Sequence, residues 1–88
     1  MKSQLTESFL RLFGSLPEDV RVKARRAYRL WSNDPSHPSL RFKRIHGGEP
    51  VYSVRIGRGW RALGLLEGDV VTWFWVGSHA DYDKLVGS

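Results

Sequence analysis

Cysteine is absent from the 88 residues and methionine occurs once. Without thiols there is no disulfide framework, no thiolate nucleophile and no zinc site built on sulfur. A cysteine-free chain suits a reducing compartment, and a cytoplasmic location is the expectation. Long apolar runs are also lacking. The most apolar segment, Val70 to Val76, has the length of a strand, far short of a bilayer span. The opening stretch MKSQLTESFLRLFG sets Glu7 and Arg11 among its apolar residues, unlike a secretory signal. His37, His46 and His79 stand far apart in loops or element ends, and Glu49, Glu67 and Asp69 fall at turns. No metal-ligand spacing results, so neither a metal nor a small-molecule cofactor is expected.

Acid is scarce in one place. Between Arg41 and Arg61 the basic residues are Arg41, Lys43, Arg44, Arg55, Arg58 and Arg61, against the single acid Glu49. That stretch accounts for the whole formal charge of +5, and the remainder of the chain is balanced. A basic excess confined to one segment is the footprint of a polyanion site, although a solvated surface has the same composition.

A chain this short buries only roughly 60–65% of the surface that its unfolded form exposes. Four Trp, four Phe and three Tyr supply large apolar area per residue to a thin core. No repeat or linker interrupts the sequence, and one domain over residues 1–88 is expected. Leu5, Phe9, Leu12 and Phe13 follow helical spacing up to Gly14. Ser15-Leu16-Pro17-Glu18 has the spacing of a capping box with an early proline. A second helix then carries Val20, Ala24, Ala27, Tyr28 and Trp31 on one stripe and Arg21, Arg25 and Arg29 on another. Asn33-Asp34-Pro35 ends it.

From Leu40 onward the spacing predicts strands over Leu40 to Ile45, Val51 to Ile56, Trp60 to Leu66 and Val70 to Val76. Short turns join them, and short connections force antiparallel neighbours. Ser78 begins a final short helix, with Asp81 three residues on. The fold class is therefore α+β: an N-terminal helical hairpin packed on a four-stranded antiparallel sheet, with a short C-terminal helix.

Register decides where the arginines go. With a three-residue loop at Gly57 to Gly59, Ile56 pairs with Trp60 and Arg55 with Arg61. Tyr52, Val54, Ile56, Trp60 and Ala62 then share the core face, and Arg55 and Arg61 oppose one another on the other. Like charges directly opposed are destabilising unless an anion sits between them, and guanidinium forks match phosphate. A two-residue turn separates the pair instead, and Asp81 or Asp83 offers a local neutralising partner. Arg41 and Lys43 share one face of the strand from Leu40, with Arg44 and Phe42 on the other. Lys43 is the residue expected to border the arginine face. His79 and Tyr82, three apart, share one side of the last helix.

These motifs together resemble the RelE/ParE toxin superfamily, the toxic halves of bacterial toxin–antitoxin pairs. The resemblance runs through the helical hairpin, Pro38-Ser39-Leu40-Arg41-Phe42-Lys43, Tyr52-Ser53-Val54-Arg55-Ile56, Trp60-Arg61-Ala62-Leu63 and the stretch from Trp75 to Tyr82. It implies either a RelE-like, metal-independent mRNA endoribonuclease associated with the ribosome, or a ParE-like gyrase inhibitor that cuts nothing. It further implies a cognate antitoxin as partner. In the ribonuclease branch Arg61, His79, Tyr82 and Arg55 fall at catalytic positions, and Lys43, Arg41, Arg44 and Arg58 are candidates for holding RNA. Family members differ in which of these side chains they carry, and this chain lacks the denser lysine set of the best-known RelE proteins. A non-toxic RNA- or ribosome-binding module is the remaining alternative.

Overall fold

The computed structural model describes residues 1–45 and 47–87; His46, weighed as a ligand above, lies outside them. The order is β1 (Lys2–Leu5), α1 (Glu7–Gly14), α2 (Glu18–Asn33), a 3₁₀ turn (Pro38–Leu40), β2 (Lys43–Arg44), β3 (Val51–Ile56), β4 (Trp60–Glu67), β5 (Val70–Ser78) and α3 (His79–Leu85). The five strands form one sheet in the order β1-β5-β4-β3-β2. The α+β class, the two helices, the meander and the closing helix agree with the sequence pattern.

Four details differ. The sheet has a fifth strand, because Lys2–Leu5 pairs in parallel with Val70–Trp73 of β5. Leu5 therefore ends a strand, and α1 starts after it with the Thr6 side chain accepting from the Phe9 amide. The strand expected over Leu40 to Ile45 shrinks to Lys43–Arg44. Pro38 opens a 3₁₀ turn there, and Arg41 closes it in the left-handed region at φ 46°. Strand alternation thus begins only after Arg41. Finally, the capping box at Ser15 does not form. The Ser15 hydroxyl donates back to the Leu12 carbonyl at 2.8 Å, and α2 begins at Pro17 without a side-chain cap.

The core lies between the helices and one face of the sheet. Val20, Ala24 and Trp31 of α2 are buried against Val54, Ile56, Ala62, Val71, Trp73 and Val76. The Trp31 indole meets Trp73 edge-on at 5.3 Å and Phe42 at 5.8 Å, the geometry that the ring quadrupole favours. The expected apolar set of β3 and β4 is found on this face, with Tyr52 stacked on Phe42 at 4.9 Å. The ends of α1 and α2 are tied by Arg21, whose guanidinium donates to the carbonyls of Gly14 and Leu16. It is therefore not part of a free stripe with Arg25 and Arg29.

A bulge sorts the tryptophans. Leu63 pairs with Trp75 and Gly64 with Trp73, so Phe74 is the extra residue of β5. Strict alternation puts Trp73 and Trp75 on the same face; the bulge puts them on opposite faces. Trp73 enters the core. Gly64 makes room for it, since a β-carbon there stands 2.5 Å from Val71 Cγ1 and 2.8 Å from Trp73 Cε3.

Candidate nucleic-acid interface

The face of the sheet away from α1 and α2 is built by the β3–β4 hairpin. Gly57 adopts φ 59°, a conformation that glycine takes without steric cost, and closes the three-residue turn. The register follows from it: Ile56 opposes Trp60, Arg55 opposes Arg61 and Ser53 opposes Leu63. Lys43 opposes Ser53, which puts it on the same face as Arg55 and Arg61. Arg44 opposes Tyr52, so it lies on the helix side of the sheet edge. Arg41, expected to share the Lys43 face, sits instead at the end of the 3₁₀ turn.

The paired arginines share a face but not their partners. Arg55 Nε donates to the Gly57 carbonyl at 2.9 Å, and its side chain lines a cleft with Lys23, Arg26 and Arg58. Arg61 turns toward α3. Its Nε donates to His79 Nδ1 at 3.4 Å, and its guanidinium lies 5.2 Å from the centroid of the Tyr82 ring. The His79 and Tyr82 rings stack at 5.8 Å with 23° between their planes. Arg61, His79 and Tyr82 thus lie together, whereas Arg55, expected to converge with Arg61, lines a neighbouring basic cleft with Arg58.

α3 holds this cluster because Ser78 caps it: the Ser78 hydroxyl accepts from the Asp81 amide at 3.1 Å. Tyr82 is 9% exposed, and its phenol ring provides a floor for the Arg61 guanidinium. Donation from Arg61 makes His79 Nδ1 an acceptor, so the neutral ring carries its proton on Nε2. Nε2 faces the Asp83 carboxylate at 3.6 Å. Arg61 Nη1 is buried without a hydrogen-bond acceptor among the described residues. A buried ionised donor left unpaired is costly. An anion that reaches this guanidinium would supply the missing acceptor, against its long hydrogen bond to His79 and its contact with the Tyr82 ring.

Trp75 and Gly77 are parts of this site that the sequence did not announce, whereas Asp83, named there as a neutralising partner for the arginines, faces His79. Gly77 opposes Arg61, and Trp75 covers Gly77. An i, i+2 pair of aromatic and glycine on one strand face is the signal that was available. Asp83 follows His79 by four residues, one helical turn. Among the described residues no group of three His, Cys, Asp or Glu side chains gathers at metal-binding range, and no helix is long and apolar enough to cross a membrane.

On the opposite side of the molecule, an apolar cleft of about 380 Å³ opens between α1 and α2. Its floor reaches Trp31 and Trp73, and Arg25 and Arg29 stand among its lining residues. The Arg25 guanidinium lies over Phe13 at 5.2 Å.

The fold is similar to that of known toxins. RelE in the RelB–RelE antitoxin–toxin complex from Methanococcus jannaschii superposes with a TM-score of 0.75 at 18% identity, covering 93% of this chain and 96% of the other. YafQ from Escherichia coli gives 0.74 at 10% identity, over 92% and 96% of the two chains. The isolated E. coli RelE toxin gives 0.67 at 18%, over 97% and 94%. At such identities the likeness shows the fold. No curated protein sequence matches. The family model of the ParE-like toxin domain matches residues 18–84, three quarters of the sequence, including all of α2 and the β2–β5 meander. The chain belongs to the ParE-like toxin domain family and, with it, to the RelE/ParE toxin superfamily.

Proposed function

We propose that this chain is the toxin of a type II toxin–antitoxin pair and acts as a metal-independent mRNA endoribonuclease at the ribosome. The observation that carries this reading is the cluster of Arg61, His79 and Tyr82, with Arg61 Nη1 lacking an acceptor among the described residues. In metal-free RNA cleavage the 2′-hydroxyl attacks the adjacent phosphorus. A base takes its proton, an acid protonates the leaving 5′-oxygen, and cations hold the charge building on the phosphoryl oxygens. Arg61 supplies that cation. His79, half exposed and with Nε2 toward the Asp83 carboxylate, transfers a proton. Tyr82, buried beneath them, fixes the guanidinium and the imidazole. Lys43, on the same sheet face, holds the backbone.

Wild type, Arg61→Ala and His79→Ala are to be expressed in translating cells and mRNA ends mapped. New ends with wild type, lost in both variants, support the reading. No new ends with wild type remove it.

RelE of M. jannaschii is found bound to RelB, an antitoxin, and the same kind of partner is proposed here. The apolar cleft between α1 and α2, with Arg25 and Arg29 at its lining, suits an amphipathic acidic segment of that partner.

A second reading is favoured by the family model, which is ParE-like. A ParE-like gyrase inhibitor needs no acid–base pair. On that reading the His79→Ala/Tyr82→Phe variant remains toxic, and the purified protein blocks DNA supercoiling by gyrase.

A further inference from the structure

We propose that the cleft between α2 and the β3–β4 hairpin is a phosphodiester-binding site, separate from the Arg61 cluster, that holds single-stranded RNA beside it. The inference rests on the polyanion reading of the arginine face and assigns to that reading a second, purely binding site.

The cleft, about 420 Å³, is walled by Lys23 and Arg26 from α2 and by Arg55 and Arg58 from the hairpin. Its lining includes Leu40, 2% exposed. Among the described residues no carboxylate lines it. Four cations from two elements thus converge on one concavity with nothing in its wall to neutralise them.

The fold builds this convergence. β2 ends at Arg44 and covers β3 at Tyr52 and Ser53, so among the described residues the edge of β3 at Arg55 lacks a neighbouring strand. A long side chain there is free to turn around the edge toward α2, and the Gly57 carbonyl holds Arg55 in that direction. Gly57 admits Lys23: a β-carbon at 57 stands 3.2 Å from Lys23 Cδ. The lysine stem thus passes over the turn. Arg26 follows Lys23 by three residues on the same side of α2, and both line the cleft with Arg58.

Why RNA rather than an acidic protein segment follows from continuity. Arg55 is the register partner of Arg61, so cleft and cluster begin on neighbouring strands only one strand spacing apart. A single strand crossing the hairpin passes one phosphate to the Arg55 side and another to the Arg61 side. Guanidinium forks and an ammonium suit phosphodiester oxygens, and the side-chain set contains no base-reading amide or carboxylate.

The test is fluorescence anisotropy of the full chain with a labelled single-stranded 2′-O-methyl oligonucleotide, which binds but lacks the attacking hydroxyl. Lys23→Ala/Arg26→Ala is compared with Lys2→Ala/Arg11→Ala, which removes the same charge elsewhere, with circular dichroism confirming the fold of both. The expected result is at least about tenfold weaker binding for the cleft variant only. Its slope of log affinity against log salt should be shallower by about 0.7 for each phosphate that the variant no longer neutralises. Equal losses in both variants, no loss in either, or no binding by wild type overturns the proposal. So does a cleft variant that keeps the oligonucleotide but loses poly-glutamate, which assigns the cleft to an acidic protein. Because the probe resists cleavage, the outcome is independent of whether Arg61 and His79 cut RNA; failure of the catalytic reading appears only in the mapping of mRNA ends.

Discussion

The indole of Trp75 occupies the space above Gly77: a β-carbon at residue 77 stands 2.6 Å from Trp75 Cζ2 and 2.8 Å from Cη2. Gly77 is in turn the register partner of Arg61. The ring that covers the glycine therefore lies beside the arginine's strand position. Gly77→Ala forces the indole aside and should cost about 1–3 kcal/mol in urea unfolding, as overpacking does. In the Trp75→Ala background the same substitution should cost clearly less, because its obstacle is gone. A double-mutant cycle reads the difference. Additive costs contradict the contact.

Trp31 should be the most sensitive position of α2. It is 1% exposed, between Trp73 and Phe42. Trp31→Ala is expected to lose about 3–5 kcal/mol, a large share of what a domain of this size has. Trp31→Phe should cost distinctly less, because the indole nitrogen finds no acceptor among the described residues. Chemical denaturation of both variants checks the order.

Ser78→Ala should lose about 0.5–2 kcal/mol with the loss of its cap on the Asp81 amide. Thr6→Ala, which uncaps α1 in the same way, is the matched control. Activity should separate the two. Only Ser78 holds the helix that carries His79 and Tyr82, so toxicity in growth assays should fall for Ser78→Ala at temperatures where both variants remain folded.

On the endoribonuclease reading, Arg61→Ala should lower the rate of cleavage by about 10²–10³, the usual effect of removing one donor from developing oxyanion charge. Arg61→Lys should recover little of it. An ammonium lacks the planar fork that donates to His79 and lies over Tyr82. Recovery of full activity by lysine removes the geometric argument and leaves only charge.

Asp83→Asn leaves the His79 partner in place but uncharged. Both side chains of this pair are about half exposed, so a melting curve should move by less than about 1 kcal/mol equivalent. A larger loss of cleavage than of stability marks Asp83 as a positioning residue for the imidazole.

The hairpin was readable because loop length sets register. A three-residue turn between two alternating strands leaves one pairing of Arg55, and the sheet has that pairing. Ser78 and Asp81 announced their helix for an equally local reason. What escaped depends on distant partners. Lys2–Leu5 is short, polar and mostly exposed; only β5, far along the chain, makes it a strand. Leu40 to Ile45 alternates like a strand, yet Pro38 and the left-handed Arg41 bend its first half away. Alternation gave the face on which Arg55 starts. It carried no information on which way a long side chain turns at an uncovered edge, and that turn separates the basic cleft from the Arg61 cluster.

The extra residue in β5 gives the strand an uneven tolerance of altered length. Phe74 has no counterpart on β4, and its carbonyl accepts from the Ser8 hydroxyl at 3.3 Å. Excising Phe74 straightens the ladder yet keeps Trp73 facing inward and Trp75 outward. Excising a paired neighbour instead exchanges inside for outside along one arm of the strand, sending an indole into water or a polar group into the apolar layer. Length variation in this strand is thus confined by parity to a single position, and homologues with a shorter β5 should show their gap there.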